Sequence, residues 1–222
     1  MLPRIVLFDL IGTLTYPWRQ PSANERLEFL EELWNAGIRI GPKALDAALE
    51  FSLHYNCPQK RFSTTRQLLL DIIQLLGESA SETVLKILDK ELKNRLPTLR
   101  PYTKNVLDEL RVYGIMSVMT TGLPSFLVTH FCDELTGYVD RWFTSTDIGF
   151  SKGHPDFLSQ IFQILRVDEP AKVLVVGSDE FLDFVIPKTA GTQVMHIGDR
   201  ELTPSLETIE KLPNYIQNRL RQ

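Results

Sequence analysis

The sequence of 222 residues contains no run of about 18 apolar residues, so no membrane-spanning helix is expected. It lacks a basic excess: a formal net charge of -4 and a pI near 5.6 give no broad positive surface for a nucleic-acid backbone. Cysteine is scarce. Cys57 and Cys132 stand far apart without metal-ligand spacing, so two reduced thiols in helices are expected rather than a disulfide framework. Internal repeats and low-complexity stretches are absent, and the first residues, with one basic side chain and an apolar run broken by Asp9, do not resemble a secretory signal. A cytoplasmic chain is therefore expected. What is present is an ordinary hydrophobic share of 43%, enough for one elaborated domain or two modest ones.

The most informative stretch is Arg4 to Thr15, where Ile5-Val6-Leu7-Phe8 runs into Asp9 and then a Gly12-Thr13 turn. A continuous apolar run of this length suits a strand covered on both faces, as in a parallel sheet. Open α/β sheets bind ligands beyond the carboxyl ends of their strands, which makes Asp9 a candidate nucleophile or metal ligand.

From Ser22 to Leu96 the pattern turns helical. Ser22 and Glu25 form a capping box ahead of Leu27, Leu30, Leu33 and Trp34, and Gly37 stands where a left-handed cap is wanted. A second helix is predicted from Pro42 to about Asn56, ended by Cys57-Pro58, and a third from Thr65 to Leu76. A fourth follows a second capping box, Ser79 to Glu82, and stops at Pro97. After Leu96 strands and helices alternate: strands at 115–119, 141–144, 173–176 and 193–197, helices at 102–113, from Pro124, at 155–165 and at 180–190. This alternation predicts right-handed βαβ units and a parallel sheet of about five strands, with the polar tail from Ser205 to Arg219 closing the domain.

The strand ends carry the chemistry. Asp9, Thr120, the Ser178-Asp179 and Asp183 group, and Lys152 before a helix converge on one edge of such a sheet. Carboxylates to attack, a cation to offset charge and hydroxyls for the remaining oxygens suit an oxyanion substrate. The four histidines, His54, His130, His154 and His196, are dispersed and form no metal pattern, while Tyr16 and Trp18 follow Asp9 closely enough to line a cavity or to pack a hinge.

The order of these groups resembles the haloacid dehalogenase superfamily of hydrolases. Phe8-Asp9-Leu10-Ile11-Gly12-Thr13-Leu14 is similar to its first motif, Val118-Met119-Thr120-Thr121-Gly122 to its second, Ser151-Lys152-Gly153-His154-Pro155 to its third, and Val176-Gly177-Ser178 with Asp183 to its fourth. The resemblance implies an α/β fold: a Rossmann-like three-layer core of residues 1–15 and 98–222, interrupted by a four-helix cap over residues 16–97. It implies catalytic roles for Asp9 as nucleophile, Thr120 and Lys152. It also implies substrate contacts at Thr13, Thr121 and Gly122, and Mg²⁺ held by Asp9, the Ile11 carbonyl, Asp183 and Asp179.

Two departures qualify that expectation. The acid that phosphatases of this family carry two residues after the nucleophile is Ile11 here, and the first acid of the fourth motif is Ser178. Isoleucine donates no proton, and general acid-base groups contribute typically ~10²–10⁴-fold. The expected function is a hydrolase using Asp9 on a small phosphorylated or similarly activated substrate, acting on small molecules rather than nucleic acid or membrane. A metal-independent 2-haloacid dehalogenase is the second expectation. It is favoured by Ser178 and opposed by Ile11, Thr121 and Leu158, where those enzymes have tyrosine, asparagine and tyrosine. Those enzymes also take a cap arginine for the substrate carboxylate; Arg19, Arg61 and Arg66 are available, each expected to be a solvated surface residue. A catalytically degenerate binding protein is the third.

Overall fold

A computed structural model of the protein describes residues 3–198 and 204–220. Strand β1 (Ile5–Asp9) lies at the centre of a wholly parallel sheet, flanked by β2 (Met116–Thr121) and β4 (Val173–Gly177). Beyond them lie β3 (Arg141–Thr144), β5 (Gln193–Ile197) and β6 (Ser205–Leu206), giving the order β3-β2-β1-β4-β5-β6.

The unbroken apolar run of β1 follows from burial on both faces. Val6 and Phe8 pack with Leu107, Leu110, Phe131, Leu174 and Val176 on one side, whereas Leu7 packs with Val118, Phe157, Ile161 and Val175 on the other. Alternate side chains thus enter two different cores. The sheet has six strands among the described residues rather than about five. The extra pair, Ser205 and Leu206, is only half-buried and too short to show a periodicity, although it hydrogen-bonds alongside His196 and Ile197. The expected closing helix forms at Leu212–Leu220, with Leu212 and Ile216 entering the same core as Val6.

Between β1 and β2 lie the helices Ala23–Asn35, Pro42–Phe51, Thr65–Leu75 and Glu82–Arg95. Their inward faces form a cluster built on Phe29, Leu33, Leu45, Leu68, Ile72 and Leu88, joined by Leu127. The Ser22–Glu25 capping box forms, but Leu27 and Trp34 are exposed and Phe29 is buried in their stead. The second expected box does not: Ser81 alone caps the last helix by accepting the Val84 N–H, while Thr64 and Gln67 make an unforeseen box before Thr65.

Cys57-Pro58 does not end the second helix. A wide turn at Ser52–Asn56, with the Cys57 N–H donating to the Ser52 carbonyl five residues back, carries the chain on through Cys57–Lys60. Shifting the ladder by one residue relieves the missing proline donor, the usual accommodation of a π-bulge. Arg61, left-handed at φ 49°, then stops the helix. The connecting segments run side by side: the Tyr16 N–H donates to the Thr98 carbonyl at 2.9 Å, and Thr15 bridges Leu99 antiparallel.

Candidate active site

Asp9 is the last residue of β1, in register with Thr120 of β2, so the central strand delivers its carboxylate to the carboxyl edge of the sheet. The chain then turns sharply through Ile11 and Gly12. Gly12 has φ +81°, and a side chain there would meet Ser178 Oγ at 2.6 Å, so both backbone conformation and space demand glycine. Across this gap the Ser178 hydroxyl donates to the Ile11 carbonyl at 3.4 Å. Gly177 is needed for a different reason: a Cβ there would lie 2.1 Å from the Asp183 carboxyl carbon. Its absence lets Asp183 fold back under the end of β4.

Lys152 joins the two acids. Its ammonium lies 2.6 Å from Asp9 Oδ1 and 2.5 Å from Asp183 Oδ1, and all three groups are buried. Asp9 Oδ2 accepts a long hydrogen bond from Thr13 Oγ1 at 3.4 Å, and Asp183 Oδ2 accepts the Asp179 N–H at 3.1 Å. Burial pushes the Asp9 carboxyl up to about 7; Lys152 offsets part of that, and the Asp183 charge adds to it. Burial alone would lower the Lys152 ammonium, but Asp183 and Asp9 outweigh it and hold the group above its ordinary value. Lysine therefore stays charged while two carboxylates compete for it, and Asp9 titrates near neutrality.

A cavity of about 510 Å³ opens over this triad. From the sheet side it is lined by Asp9, Ile11, Thr121, Gly122, Lys152 and Asp183, with Ser178 and Asp179 at the rim. Thr120 does not face it. Its hydroxyl donates to the Phe8 carbonyl at 3.3 Å, leaving Thr121 as the β2 hydroxyl on the cavity. Thr13 is fully buried and reaches the cavity only through Asp9. The Asp179 carboxylate caps the following turn by accepting the Phe181 and Leu182 N–H groups.

The helical side contributes Trp18, Glu50 and His54. Trp18 had a sequence signal in its closeness to Asp9. Glu50 and His54 had none: Glu50 lies near the end of the Pro42–Phe51 helix, and His54 in the wide turn that follows it. None of the three arginines lines the cavity: Arg19 pairs with Glu25, Arg66 with Glu82 at 2.5 Å, and the Arg61 guanidinium lies against Gly149. Tyr16 instead lies under the Arg100 guanidinium, 5.1 Å from its ring centre.

The family model for haloacid dehalogenase-like hydrolase matches residues 3–191. The chain belongs to this family. Among solved structures, the 2-haloacid dehalogenase of Pseudomonas syringae pathovar tomato is 17% identical with a TM-score of 0.67, over 99% of this chain and 100% of that one. The L-2-haloacid dehalogenase of Xanthobacter autotrophicus, solved with chloropropionic acid covalently bound, is 18% identical with a TM-score of 0.65, over 97% of this chain and 99% of that one. A family enzyme of Bacteroides thetaiotaomicron, solved as a mutant with magnesium and inorganic phosphate, is 14% identical with a TM-score of 0.65, over 91% of this chain and 97% of that one. At these identities the likeness is one of fold. No curated protein sequence matches the chain. Among the described residues no helix is long and apolar enough to cross a membrane.

Proposed function

We propose that this member of the family is a hydrolase in which Asp9 attacks a small phosphorylated or similarly activated substrate, forming an aspartyl ester that water then cleaves. The observation that carries this reading is the Asp9–Lys152–Asp183 triad buried beneath a 510 Å³ cavity. A buried carboxylate with a raised pKa and a cation at one oxygen is a costly arrangement for structure alone, and such perturbed groups in clefts mark functional sites. Asp9 attacks as the carboxylate, with Lys152 neutralising charge as it develops and fixing the direction of attack. The Thr121 hydroxyl, whose oxygen already accepts the Leu123 N–H at 3.2 Å, has its proton to offer a substrate oxygen. Asp183 holds Lys152 in place from below.

The residues present fit Mg²⁺ poorly. Asp9 has both oxygens engaged, Asp183 has Oδ1 ion-paired with Lys152 and Oδ2 on the Asp179 N–H, the Ile11 carbonyl accepts the Ser178 hydroxyl, and Asp179 gives one of its two oxygens to its cap. Among the described residues no group of three or more His, Cys, Asp or Glu is placed to hold a metal ion. A hard cation would need several free oxygens here. The catalytic steps above accordingly use only side chains of this chain.

Residues 16–97 act in this reading as a cap that closes over a core of residues 1–15 and 98–222, with the paired segments at Thr15 and Leu99 as the hinge. Ser178 and the missing core acid also favour a second reading, attack on carbon with loss of halide, because halide leaves without a proton. The arginines speak against a haloacid, since none offers a guanidinium to its carboxylate in the cavity.

The test uses p-nitrophenyl phosphate, acetyl phosphate and 2-chloropropionate, comparing wild type with Asp9→Asn. Turnover of either phosphate that vanishes in the variant supports the first reading, and halide release supports the second. Equal rates in wild type and Asp9→Asn would sink both.

A further inference from the structure

On the sheet side of the cavity Ile11 stands where an acid would be reached from β1, and Lys152, Thr121 and Ser178 already have partners in Asp9, Leu123 and Ile11. The helical side offers a group that both gives and takes protons readily. His54 lines the cavity, and its ring and Lys152 Cβ flank the same glycine: a Cβ on Gly122 would lie 3.6 Å from Lys152 Cβ and 3.7 Å from His54 Nδ1.

The position of His54 is held by a device. In the wide turn Ser52–Asn56, Ser52, Leu53 and Asn56 face inward, whereas His54 and Tyr55 face outward. The inward polar pair is tied to Asp71 of the Thr65–Leu75 helix: Ser52 Oγ and Asn56 Nδ2 each donate to Asp71 Oδ2 at 2.7 Å, and Lys60 meets Oδ1 at 2.7 Å. A buried carboxylate with three donors thus fixes a helical irregularity, and the residue on the outer side of that irregularity is the cavity histidine. Single π-turns recur at functional sites because they re-aim side chains in this way.

We propose that His54 is the proton-transferring group of this site, serving the leaving oxygen from the helical side. The proposal rests on the aspartate-nucleophile reading and deepens it, since it extends the substrate class to esters whose oxygen leaving group needs a proton. As the Asp9 carboxylate bonds to the transferred group and the bond to the leaving oxygen breaks, the imidazolium gives its proton to that oxygen and the alcohol departs. The neutral imidazole then takes a proton from the water that attacks the aspartyl ester, restoring Asp9 as carboxylate and His54 as imidazolium. Imidazole is suited to both transfers near neutrality. The charged groups sharing its cavity are Glu50 one turn earlier on its own helix, Asp9, Lys152, Asp179 and Asp183.

The experiment compares p-nitrophenyl phosphate, whose leaving group departs unaided, with phenyl phosphate, which needs more help. His54→Gln should lower kcat on phenyl phosphate roughly 10²-fold and on p-nitrophenyl phosphate less than about threefold. Equal losses on both, or no loss on phenyl phosphate, overturn the proposal. So does a leaving-group-dependent loss in Glu50→Gln that is absent in His54→Gln. Asp9→Asn separates the two levels: if it keeps wild-type rates, the aspartate reading falls and takes this one with it, whereas a wild type that turns over acetyl phosphate but neither ester keeps the aspartate reading and overturns this one. His54 is exposed, so its replacement does not threaten the fold.

Discussion

Asp71 and Asp9 are buried aspartates that each meet a lysine within 2.7 Å, and they behave in opposite ways. Asp71, inside the helical segment, receives Ser52, Asn56 and Lys60, and these donors outweigh its burial and lower its pKa. Asp9, under the cavity, must share Lys152 with Asp183, and its pKa rises to about 7. A carboxylate buried for structure is surrounded until its charge is fully met. One buried for chemistry is left short, with an open side toward solvent and substrate. The difference lies in how deeply each carboxylate is buried and in whether its lysine is shared with a second acid, since each has three donors.

The largest expected effect breaks the comparison at the level of rate. Asp9→Asn should abolish turnover of p-nitrophenyl phosphate by about 10³-fold or more, whereas Asp71→Asn should lower it less than about threefold in steady-state assays. Comparable losses would mean that Asp9 is no more chemical than Asp71. Next is Lys152→Met, which removes the sole cation between two buried acids and should cost about 3–5 kcal/mol of unfolding free energy. The loss should be greater at pH 8 than at pH 5, where a carboxyl can take up a proton, and denaturant titration at both pH values checks this.

Stability against pH sharpens the contrast further. Because the folded Asp9 carboxyl holds its proton up to about 7, its stabilising contribution is full below the ordinary carboxylate range and lost as pH rises through 7. Asp9→Asn should therefore be more stable than wild type at pH 8, by about 2 kcal/mol, and no more stable at pH 4. Asp71 has the opposite sign: its contribution is present above the ordinary carboxylate range and lost as pH falls through its lowered pKa. Asp71→Asn should lose about 2 kcal/mol at pH 7, with the gap closing in acid. By the same titration, kcat/KM of wild type should fall as pH drops below about 7, as Asp9 becomes protonated.

Much of this was legible in the sequence. A strand covered on both faces announces itself by an unbroken apolar run, which is why Ile5–Asp9 and Val173–Gly177 were expected within a residue of where they lie. Asp9, Lys152 and Asp183 could be gathered because parallel strands must end on one edge. Thr120 and Thr121 could not be told apart, since two adjacent hydroxyls at a strand end differ only in which side of the pleat meets the cavity. The wide turn at Ser52–Asn56 left no periodic trace, and a proline after it suggested an end where the helix continues. With the turn unseen, His54 had no reason to stand out among four scattered histidines.

The smallest effect tests how much the lysine itself matters at each carboxylate. Lys60 and Lys152 both touch a buried carboxylate at close range, yet the Lys60 side chain is 51% exposed and that of Lys152 only 9%. Solvent screens Lys60, and Ser52 and Asn56 still hold Asp71 when it is gone. Lys60→Met should therefore cost only about 0.5–1 kcal/mol in denaturant titration, against the several expected for Lys152→Met. The same variant should leave the leaving-group dependence of turnover close to wild type, because the two donors that fix the wide turn remain. A loss as large as that of Lys152→Met would show that the charge on Lys60, rather than the hydroxyl and amide, holds the turn that carries His54.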